Sequence, residues 1–273
     1  MITVGIQGIK GCFHEMAARK YFNNSIEIAE CKTFKDLCHN LKTEKSDYAV
    51  MAIENTLAGS LLPNYSLITK NGFSIVGEVY LHIQMNLMAL PGVALKDIRH
   101  IISHPVALAQ CEEYLETLPD AEVIEFNDTA AAAKWVSDNN RTDYGAIGNL
   151  LSAKLYHLNI LAENIETHKK NYTRFLVLSR KKETIEGANK ASVSLVLPHT
   201  PGSLADVLQI FKENRVNLTK IQSVPIIGKP YQYAFKIDLT WDNYSDYLHT
   251  MELVRNYGSD ILIMGEYKSE KYQ

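Results

Sequence analysis

A hydroxyl, a guanidinium and an aromatic ring lead directly into an apolar segment near the middle of the chain. Thr173, Arg174 and Phe175 precede the apolar residues 176–178, and this pattern predicts a buried strand. Core packing alone favours neither a hydroxyl nor a guanidinium at such a place. Because successive strand side chains point to opposite faces, Thr173 and Phe175 share one face and Arg174 lies on the other. We look for chemistry at this place, although threonine is also common on half-buried strands. For Arg174 we expect a salt bridge or a lobe contact instead of substrate binding.

Small hydrogen-bonding residues follow three other predicted strands. Asn55, Ser103 and Thr129 each stand where a strand gives way to a predicted helix. Such turns bind ligands in α/β proteins, because backbone N–H groups at a helix start are unpaired and the helix dipole favours anions. Taken alone, each turn is better explained by helix capping, and it is the occurrence of several together that favours a binding site. Gln110 lies within two turns of the helix start at Pro105, and the sequence leaves open whether it faces a cleft or solvent.

The sequence lacks several motifs that would indicate a cofactor, a metal or a serine hydrolase. The glycines of residues 5–11 do not have the GxGxxG spacing, and no GxxxxGK[ST], HExxH or GxSxG sequence occurs. His100 and His104 are four residues apart but straddle a strand end and Pro105. We therefore expect neither a cofactor nor a metal.

Composition limits the class of partner. The 273 residues include 46% hydrophobic ones and carry a formal net charge of -3, which favours two domains and gives no basic surface for nucleic acid or for an anionic membrane. The four cysteines form no CxxC pair, so we expect neither disulfides nor zinc. The first residues lack the features of a secretory signal, and no apolar run reaches the ~18 residues of a membrane span. We expect a cytoplasmic protein.

Short β-branched runs alternate with helical patterns over the first 180 residues. This alternation predicts mainly parallel sheets in two α/β lobes with a cleft between them, and residues 73–90 interrupt it with a strand-rich stretch. Among the predicted helices is one over residues 105–118. The polar residues 183–190 predict a linker. Beyond the linker, the order of elements is βαββαβ, the ferredoxin-like unit.

The motifs together resemble those of the prephenate dehydratase family. They are IENTLAGS at 53–60, SHP at 103–105, ALAQC at 107–111, LAENI at 161–165 and TRF at 173–175. The C-terminal part, with PGSL at 201–204 and NLTKI at 217–221, is similar to the ACT regulatory domain of that family. The resemblance covers nearly the whole chain, in the family's order.

The resemblance implies a fold, an activity and a set of site residues. The fold would be an α/β catalytic domain of two lobes, like periplasmic binding proteins, over residues 1–182, with a ferredoxin-like ACT domain over residues 191–273. The enzyme would be a lyase that converts prephenate to phenylpyruvate with loss of water and carbon dioxide, without a cofactor or metal, in L-phenylalanine biosynthesis. Thr173 would be the catalytic residue, and the residues binding substrate would be Asn55, Ser103, Gln110, Thr129 and Phe175.

The resemblance also implies control by L-phenylalanine as an allosteric inhibitor, in a homodimer or homotetramer. The effector would bind where two ACT domains pair, at Gly202, Ser203, Leu204, Asn217, Leu218, Gln222 and Ser223. No nucleic acid and no membrane is expected as a partner. Two alternatives stay open: a dehydratase that acts on arogenate, and a non-catalytic small-molecule sensor with the same two-lobed plan.

The chain departs from the family pattern at three places. Cys12 follows Gly11 where the family usually has threonine, so that one hydrogen-bond donor is missing or is replaced by a backbone N–H. Asn127 and Asp128 occupy a region where some relatives carry glutamate, and we assign no acid there. Residues 222–225 are QSVP instead of Glu-Ser-Arg-Pro, which puts the strength of feedback control in question.

Overall fold

The computed structural model describes residues 1–226, 228, 229 and 231–270. They divide into two compact units, one made of residues 1–64 and 79–175 and the other of residues 65–78 and 176–273. Residues 180–189, which include the predicted linker, contain no helix or strand. No helix of the described residues is both long and apolar enough to cross a membrane.

Strands and helices alternate from the start of the chain, as the sequence predicts. The elements up to residue 110 are β1 (Ile2–Gln7), α1 (Phe13–Phe22), β2 (Ile26–Cys31), α2 (Phe34–Lys42), β3 (Tyr48–Asn55), β4 (Gly59–Ser60), α3 (Leu62–Asn71), β5 (Ser74–His82), β6 (Asn86–Ala89), a 3-10 turn (Leu95–Asp97), β7 (His100–Ser103) and α4 (Pro105–Gln110). Then come α5 (Glu112–Leu115), β8 (Glu122–Glu125), α6 (Thr129–Asp138), β9 (Tyr144–Gly148), α7 (Leu150–Leu155), β10 (Asn159–Ala162) and β11 (Tyr172–Ser179).

The first sheet has the strand order β2-β1-β3-β11-β5, with β4 paired to β3. β1 runs parallel to both β2 and β3. Its residues Val4 and Ile6 and the β3 residues Val50 and Ile53 have no exposed surface, as expected of a parallel strand covered on both faces. β5 and β11 continue from the first unit into the second. This sheet forms one lobe.

The second sheet has the strand order β10-β6-β9-β7-β8 and forms the other lobe. β7 is parallel to β8 and β9, whereas β6 is antiparallel to both of its neighbours. The sheet is therefore mixed, because the chain enters this lobe through β6 in the opposite direction. The core under it includes Met88, Ile102 and the alanines of α6. Two lobes were predicted and are confirmed.

The remaining elements form a ferredoxin-like unit, as predicted. They are β12 (Lys190–Val196), α8 (Ser203–Glu213), β13 (Asn217–Pro225), β14 (Tyr233–Thr240), α9 (Tyr244–Asn256) and β15 (Asp260–Tyr267). Their sheet has the order β13-β14-β12-β15, with every pair antiparallel. Apolar side chains such as Leu195, Val207 and Leu239 form its core. Trp241 stacks on Tyr247 in this core, with the ring centroids 4.0 Å apart.

One predicted helix is wrong in its extent. Residues 105–118 do not form one helix, because α4 ends at Gln110 and α5 covers only Glu112–Leu115. Cys111 lies between them with ψ of 16°, outside the helical range, and its N–H bonds three residues back to the carbonyl of Leu108. The buried thiol of Cys111 thus sits at a tightened turn instead of within a continuous helix.

Candidate active site

A cleft with a volume of about 310 Å³ opens within the first unit. It is lined from both lobes, by residues at or after the carboxyl ends of β1, β3, β7 and β8, by the segment between β5 and β6, and by the start of β11. The lining residues are Gln7, Cys12, Phe13, His14, Ala52, Asn55, Ala58, Leu61, Ile83, Met85, His104, Val106, Ala107, Gln110, Asn127, Asp128, Thr129, Thr173 and Phe175. The volume suits one small organic molecule.

Four uncharged side chains form a hydrogen-bonded chain in the first unit. Asn55 Nδ2 donates to Thr173 Oγ1 at 2.9 Å and to Asn171 Oδ1 at 2.7 Å. Asn171 Nδ2 in turn donates to Gln110 Oε1 at 3.2 Å. Asn55 is itself held by its Oδ1, which accepts from the backbone N–H groups of residues 57 and 58, each at 2.9 Å. The network fixes the orientation of Asn55, and Asn55 fixes that of Thr173.

The Thr173 hydroxyl has its proton available for a ligand. Its oxygen accepts the hydrogen bond from Asn55, so the hydroxyl proton must point elsewhere. Within the part of the chain that the structure describes, this hydroxyl donates no hydrogen bond. Thr173 is half-buried and lines the cleft. A ligand oxygen in the cleft would therefore meet a donor.

An apolar wall lies beside Thr173. Phe175 is 1% exposed and shares the face of β11 with Thr173, as predicted from the alternation along the strand. The ring of His14 meets that of Phe175 edge-on, with the centroids 5.0 Å apart. Ile83 and Met85 line the cleft as well. A flat hydrocarbon ring would be accommodated here.

The cleft receives the starts of two ten-residue helices. Cys12, Phe13 and His14 belong to the start of α1, and Asp128 and Thr129 to the start of α6. Asp128 caps α6 by accepting the N–H of Ala131 at 2.9 Å. No lysine or arginine is among the described residues that line the cleft. Helix starts and neutral donors are thus the favourable features for an anion.

Burial shifts the pKa values of three cleft residues. It raises the pKa of the Cys12 thiol to about 12 and lowers the pKa of His14 to about 4, so both side chains are neutral at pH 7. Burial also raises the pKa of Asp128, against the hydrogen bonds that its carboxylate accepts at the start of α6. His14 Nε2 accepts a hydrogen bond from the N–H of Ala52 at 3.3 Å.

The structure brings together most of the predicted substrate-binding residues. Asn55, Gln110, Thr129 and Phe175 line the cleft with Thr173, which settles the open orientation of Gln110. Ser103 is not among the described lining residues. It has no exposed surface, and its hydroxyl donates to the carbonyl of Ile147 at 2.7 Å.

Arg174 lies away from the cleft, as predicted. It is 3% exposed, and its Nη1 is 3.9 Å from Glu54 Oε2. The guanidinium also lies over the ring of Tyr80, 5.8 Å from its centroid. The contact with Glu54 is the salt bridge expected on the opposite face of the strand.

The predicted effector residues lie in the second unit. Gly202, with φ of 86°, immediately precedes α8, in which Ser203 and Leu204 are the first residues. Asn217, Leu218, Gln222 and Ser223 lie on β13, an edge strand of the ferredoxin-like sheet in the described chain. Gln222 Nε2 donates to the carbonyl of Ser223 at 3.0 Å.

Several lining residues were not assigned a role from sequence. Among them are His14 and Asp128. The buried Asn171 also had no assigned role; it is outside the described lining and accepts a hydrogen bond from Asn55. The sequence did contain a signal for His14 and Asp128, because each falls in a turn where the chain departs from the pattern of similar proteins. For Asn171 the sequence contained no signal beyond its place two residues before Thr173.

Fold and site together define a two-lobed α/β domain with a cleft of uncharged donors, accompanied by a ferredoxin-like unit. Residues 4–183 match the model of the family described as prephenate dehydratase. The chain therefore belongs to the prephenate dehydratase family.

Relatives with named activities support this assignment. The chain is 34% identical over 239 residues to a bifunctional chorismate mutase/prephenate dehydratase of Aquifex aeolicus, covering 87% of this chain and 65% of the relative. It is 39% identical over 229 residues to arogenate dehydratase 2 of Petunia hybrida, covering 82% of this chain and 57% of the relative. The chain thus spans less than two thirds of the length of these relatives.

Solved structures share the fold over nearly the whole chain. A structure described as GqqA, a novel type of quorum quenching acylase, superposes with a TM-score of 0.88 at 27% identity, covering 98% of both chains. A prephenate dehydratase from Arthrobacter aurescens in complex with L-Phe superposes with a TM-score of 0.85 at 28% identity, covering 98% of this chain and 90% of the other.

Proposed function

We propose that this protein converts prephenate to phenylpyruvate, with loss of carbon dioxide and water, in the cleft of its first unit. The observation that carries the proposal is the hydrogen bond from Asn55 to Thr173, which leaves the threonine hydroxyl as a donor inside the cleft. Family membership supports the same reaction.

The reaction needs few groups from the protein. The bond between the ring and its carboxylate breaks, and its electron pair enters the ring as the carbon–hydroxyl bond on the opposite side breaks. The hydroxide leaves with one added proton as water, so that the dianion takes up one proton and gives carbon dioxide and the phenylpyruvate anion. Aromatisation drives these steps without oxidation or reduction. The protein must hold two carboxylates, assist hydroxide departure and keep the site dry.

Thr173 would assist the departing hydroxide by hydrogen bonding. A threonine hydroxyl is a very weak acid, so a donated bond with late proton transfer is favoured over full protonation by Thr173. Phe175 would pack against the substrate ring. Gln110 and Thr129 would bind carboxylate or hydroxyl groups. Asn55, whose two amide N–H groups bond to Thr173 and Asn171, would join them only by exchanging one of these bonds. Ser103 could join them only by exchanging its bond to Ile147 for one to the substrate.

The charge distribution of the cleft suits a dianion held by neutral donors. The starts of α1 and α6 bring the positive ends of their dipoles to the cleft. The carboxyl of Asp128 opposes this attraction when it is ionised, and the rise in its pKa by burial reduces that opposition. Carboxylate binding without lysine or arginine is thus consistent with the lining.

The test is incubation of the purified protein with prephenate at neutral pH, followed by the absorbance of phenylpyruvate in alkali. We expect turnover well above the uncatalysed rate. A parallel incubation with arogenate, read as phenylalanine formed, decides which substrate is preferred. If neither is turned over but prephenate binds, the protein is a sensor and the proposal is wrong.

Acyl transfer, the activity named for the GqqA structure, has less support in this cleft. An acylase working through a thiol needs a thiolate, and burial raises the pKa of Cys12 to about 12. Thr173 has Asn55 as its partner rather than a basic group that could remove its proton. The dehydratase proposal requires neither a thiolate at Cys12 nor a basic group next to Thr173.

Regulation by L-phenylalanine is proposed for the ferredoxin-like unit, as an ACT domain. The positive φ of Gly202 and the start of the eleven-residue α8 offer backbone N–H groups for an amino-acid carboxylate. The L-Phe complex of the Arthrobacter relative supports this effector. Asn217 and Leu218 on an edge strand would complete the site from a second copy, in a homodimer or homotetramer.

Calorimetric titration with L-phenylalanine tests the regulatory proposal, with D-phenylalanine as control. We expect heat of binding and inhibition for the L form, both reduced by Asn217→Ala. Absence of heat, with activity indifferent to the L form, would remove the claim. The domain limits at residues 182 and 191, the oligomeric state and a cytoplasmic location stay predictions.

A further inference from the structure

His14 has a defined tautomer in the cleft. The N–H of Ala52 donates to His14 Nε2 at 3.3 Å, so Nε2 carries no proton and the ring proton of the neutral form is on Nδ1. Ala52 can make this bond because it lies beyond the paired residues of β1 and β3, whose register ends at Ile6 and Val50. A backbone N–H of β3, beyond the end of its pairing with β1, therefore determines which ring nitrogen of His14 carries the proton.

The other ring nitrogen of His14 is left for a ligand. Within the described residues Nδ1 makes no hydrogen bond, and the side chain lines the cleft. The ring is held on two sides, by Phe175 at 5.0 Å and by Phe34 at 5.6 Å between centroids. It is a rigid donor and not a mobile surface side chain.

His14 contacts β11 at Phe175, away from Thr173. The ring packs on Phe175, which is two residues further along β11 than Thr173, or about 7 Å. A ring substrate whose hydroxyl meets Thr173 would extend along Phe175 towards His14. In prephenate the carboxylate-bearing carbon is on the side of the ring opposite the hydroxyl.

We propose that His14 binds a carboxylate of the substrate through a neutral Nδ1–H donor at the start of α1. The inference rests on the proposed function and adds a residue to it. His14 would also replace the hydrogen-bond donor that is lost at Cys12, where the family usually has threonine, because it supplies a donor two residues later on the same turn. The α1 dipole strengthens this donor towards an anion.

Burial keeps the imidazole of His14 neutral. The pKa of His14 is lowered to about 4 by burial, so an imidazolium is not present at pH 7. A neutral imidazole can act as a hydrogen-bond donor without adding a charge that must be desolvated. The binding of substrate by His14 therefore does not require protonation.

Two substitutions separate the roles of the two ring nitrogens. His14→Gln keeps an acceptor that can reach the N–H of Ala52 but removes the Nδ1 donor, whereas His14→Asn keeps a donor near the Nδ1 position and loses the Ala52 contact. We expect His14→Gln to raise KM for prephenate about 10- to 100-fold with kcat little changed. His14→Asn should raise KM only a few-fold. Thermal unfolding checks that both variants fold.

Nitrogen NMR of histidine-labelled protein without ligand gives an independent readout. We expect the His14 signals of an imidazole protonated on Nδ1. Protonation on Nε2, equal KM values for wild type and His14→Gln, or equal rises in KM for both variants would overturn the inference while leaving an active dehydratase. An inactive wild type would instead refute the proposed function, and this inference with it.

Discussion

The side-chain amide of Asn55 donates a hydrogen bond to Thr173 Oγ1 across a sequence separation of 118 residues, at 2.9 Å. The bond joins the end of β3 to the start of β11. Since the threonine oxygen is an acceptor in this pair, its proton is directed to the cleft. The proposed chemistry depends on that direction.

Asn55→Asp should reverse the direction of the hydrogen bond between residue 55 and Thr173. The carboxylate has the size of the amide but only accepts, so the Thr173 hydroxyl would donate to it and not to the substrate. The Oδ1 of Asn171, now facing another acceptor, would also lose its bond. We expect kcat to fall by about 100-fold or more. Steady-state kinetics measures this, with the exposed Asn139→Asp as control, and kcat within a few-fold of wild type would contradict it.

Gly8→Ala should disturb the cleft by crowding. Gly8 has φ of 107°, and a Cβ there would lie 3.2 Å from both Asp128 Oδ2 and Cys12 Sγ. The matched control is Gly92→Ala, at φ of 87° with nothing within 4 Å. Both variants carry backbone strain of about 1–3 kcal/mol. We expect a larger loss of unfolding free energy and a raised KM only for Gly8→Ala, and equal effects would show that crowding is unimportant.

The half-buried His14 predicts a pH dependence of stability. The pKa of His14 is about 4 in the folded protein against 6.5 for the ordinary side chain. Between these values the unfolded chain binds a proton that the folded protein does not, so this contribution is complete above pH 6.5 and is lost as the pH falls to 4. It amounts to a few kcal/mol at most.

Denaturant unfolding of wild type and His14→Gln from pH 8 to pH 4 measures this contribution. The stability of wild type should fall more steeply than that of the variant below pH 6.5, because the variant cannot take up the proton. A variant in which the exposed His39 is replaced by glutamine controls for loss of a histidine. Parallel curves for wild type and His14→Gln would contradict the prediction.

Breaking a buried ion pair in the second unit should lower the unfolding free energy strongly. Lys190 Nζ lies 2.9 and 2.8 Å from the two oxygens of Glu78, and both side chains are almost fully buried. Lys190→Met would remove the ammonium group next to the buried Glu78 carboxylate, at a cost of about 3–5 kcal/mol. Lys190→Met combined with Glu78→Leu should cost less than the sum of the single changes. Additive costs in chemical denaturation would show that the pair is not coupled.

The sequence predicted the local structure well where hydrophobic periodicity and turn residues agreed. The alternation of strands and helices in the first part of the chain and the order βαββαβ of the C-terminal unit are confirmed. The break of the helix at Cys111 was not predictable, because the residues on both sides favour a helix.

The site was predictable only in part. Alternation along β11 put Thr173 and Phe175 on one face, and the strand-to-helix turns indicated Asn55 and Thr129. The hydrogen bond between Asn55 and Thr173 depends on the pairing of distant strands, which periodicity does not give. The fully buried position of Ser103 depends likewise on the neighbouring strand that carries Ile147.

Turnover of prephenate by Thr173→Ser and Thr173→Val tests the central claim most directly. Serine keeps a hydroxyl in reach of Asn55, whereas valine keeps the shape of the side chain and removes the hydroxyl. We predict that kcat of Thr173→Ser stays within about tenfold of wild type and that kcat of Thr173→Val falls by about 100- to 10,000-fold, with both variants folded. A valine variant that turns over prephenate within tenfold of wild type would contradict the account.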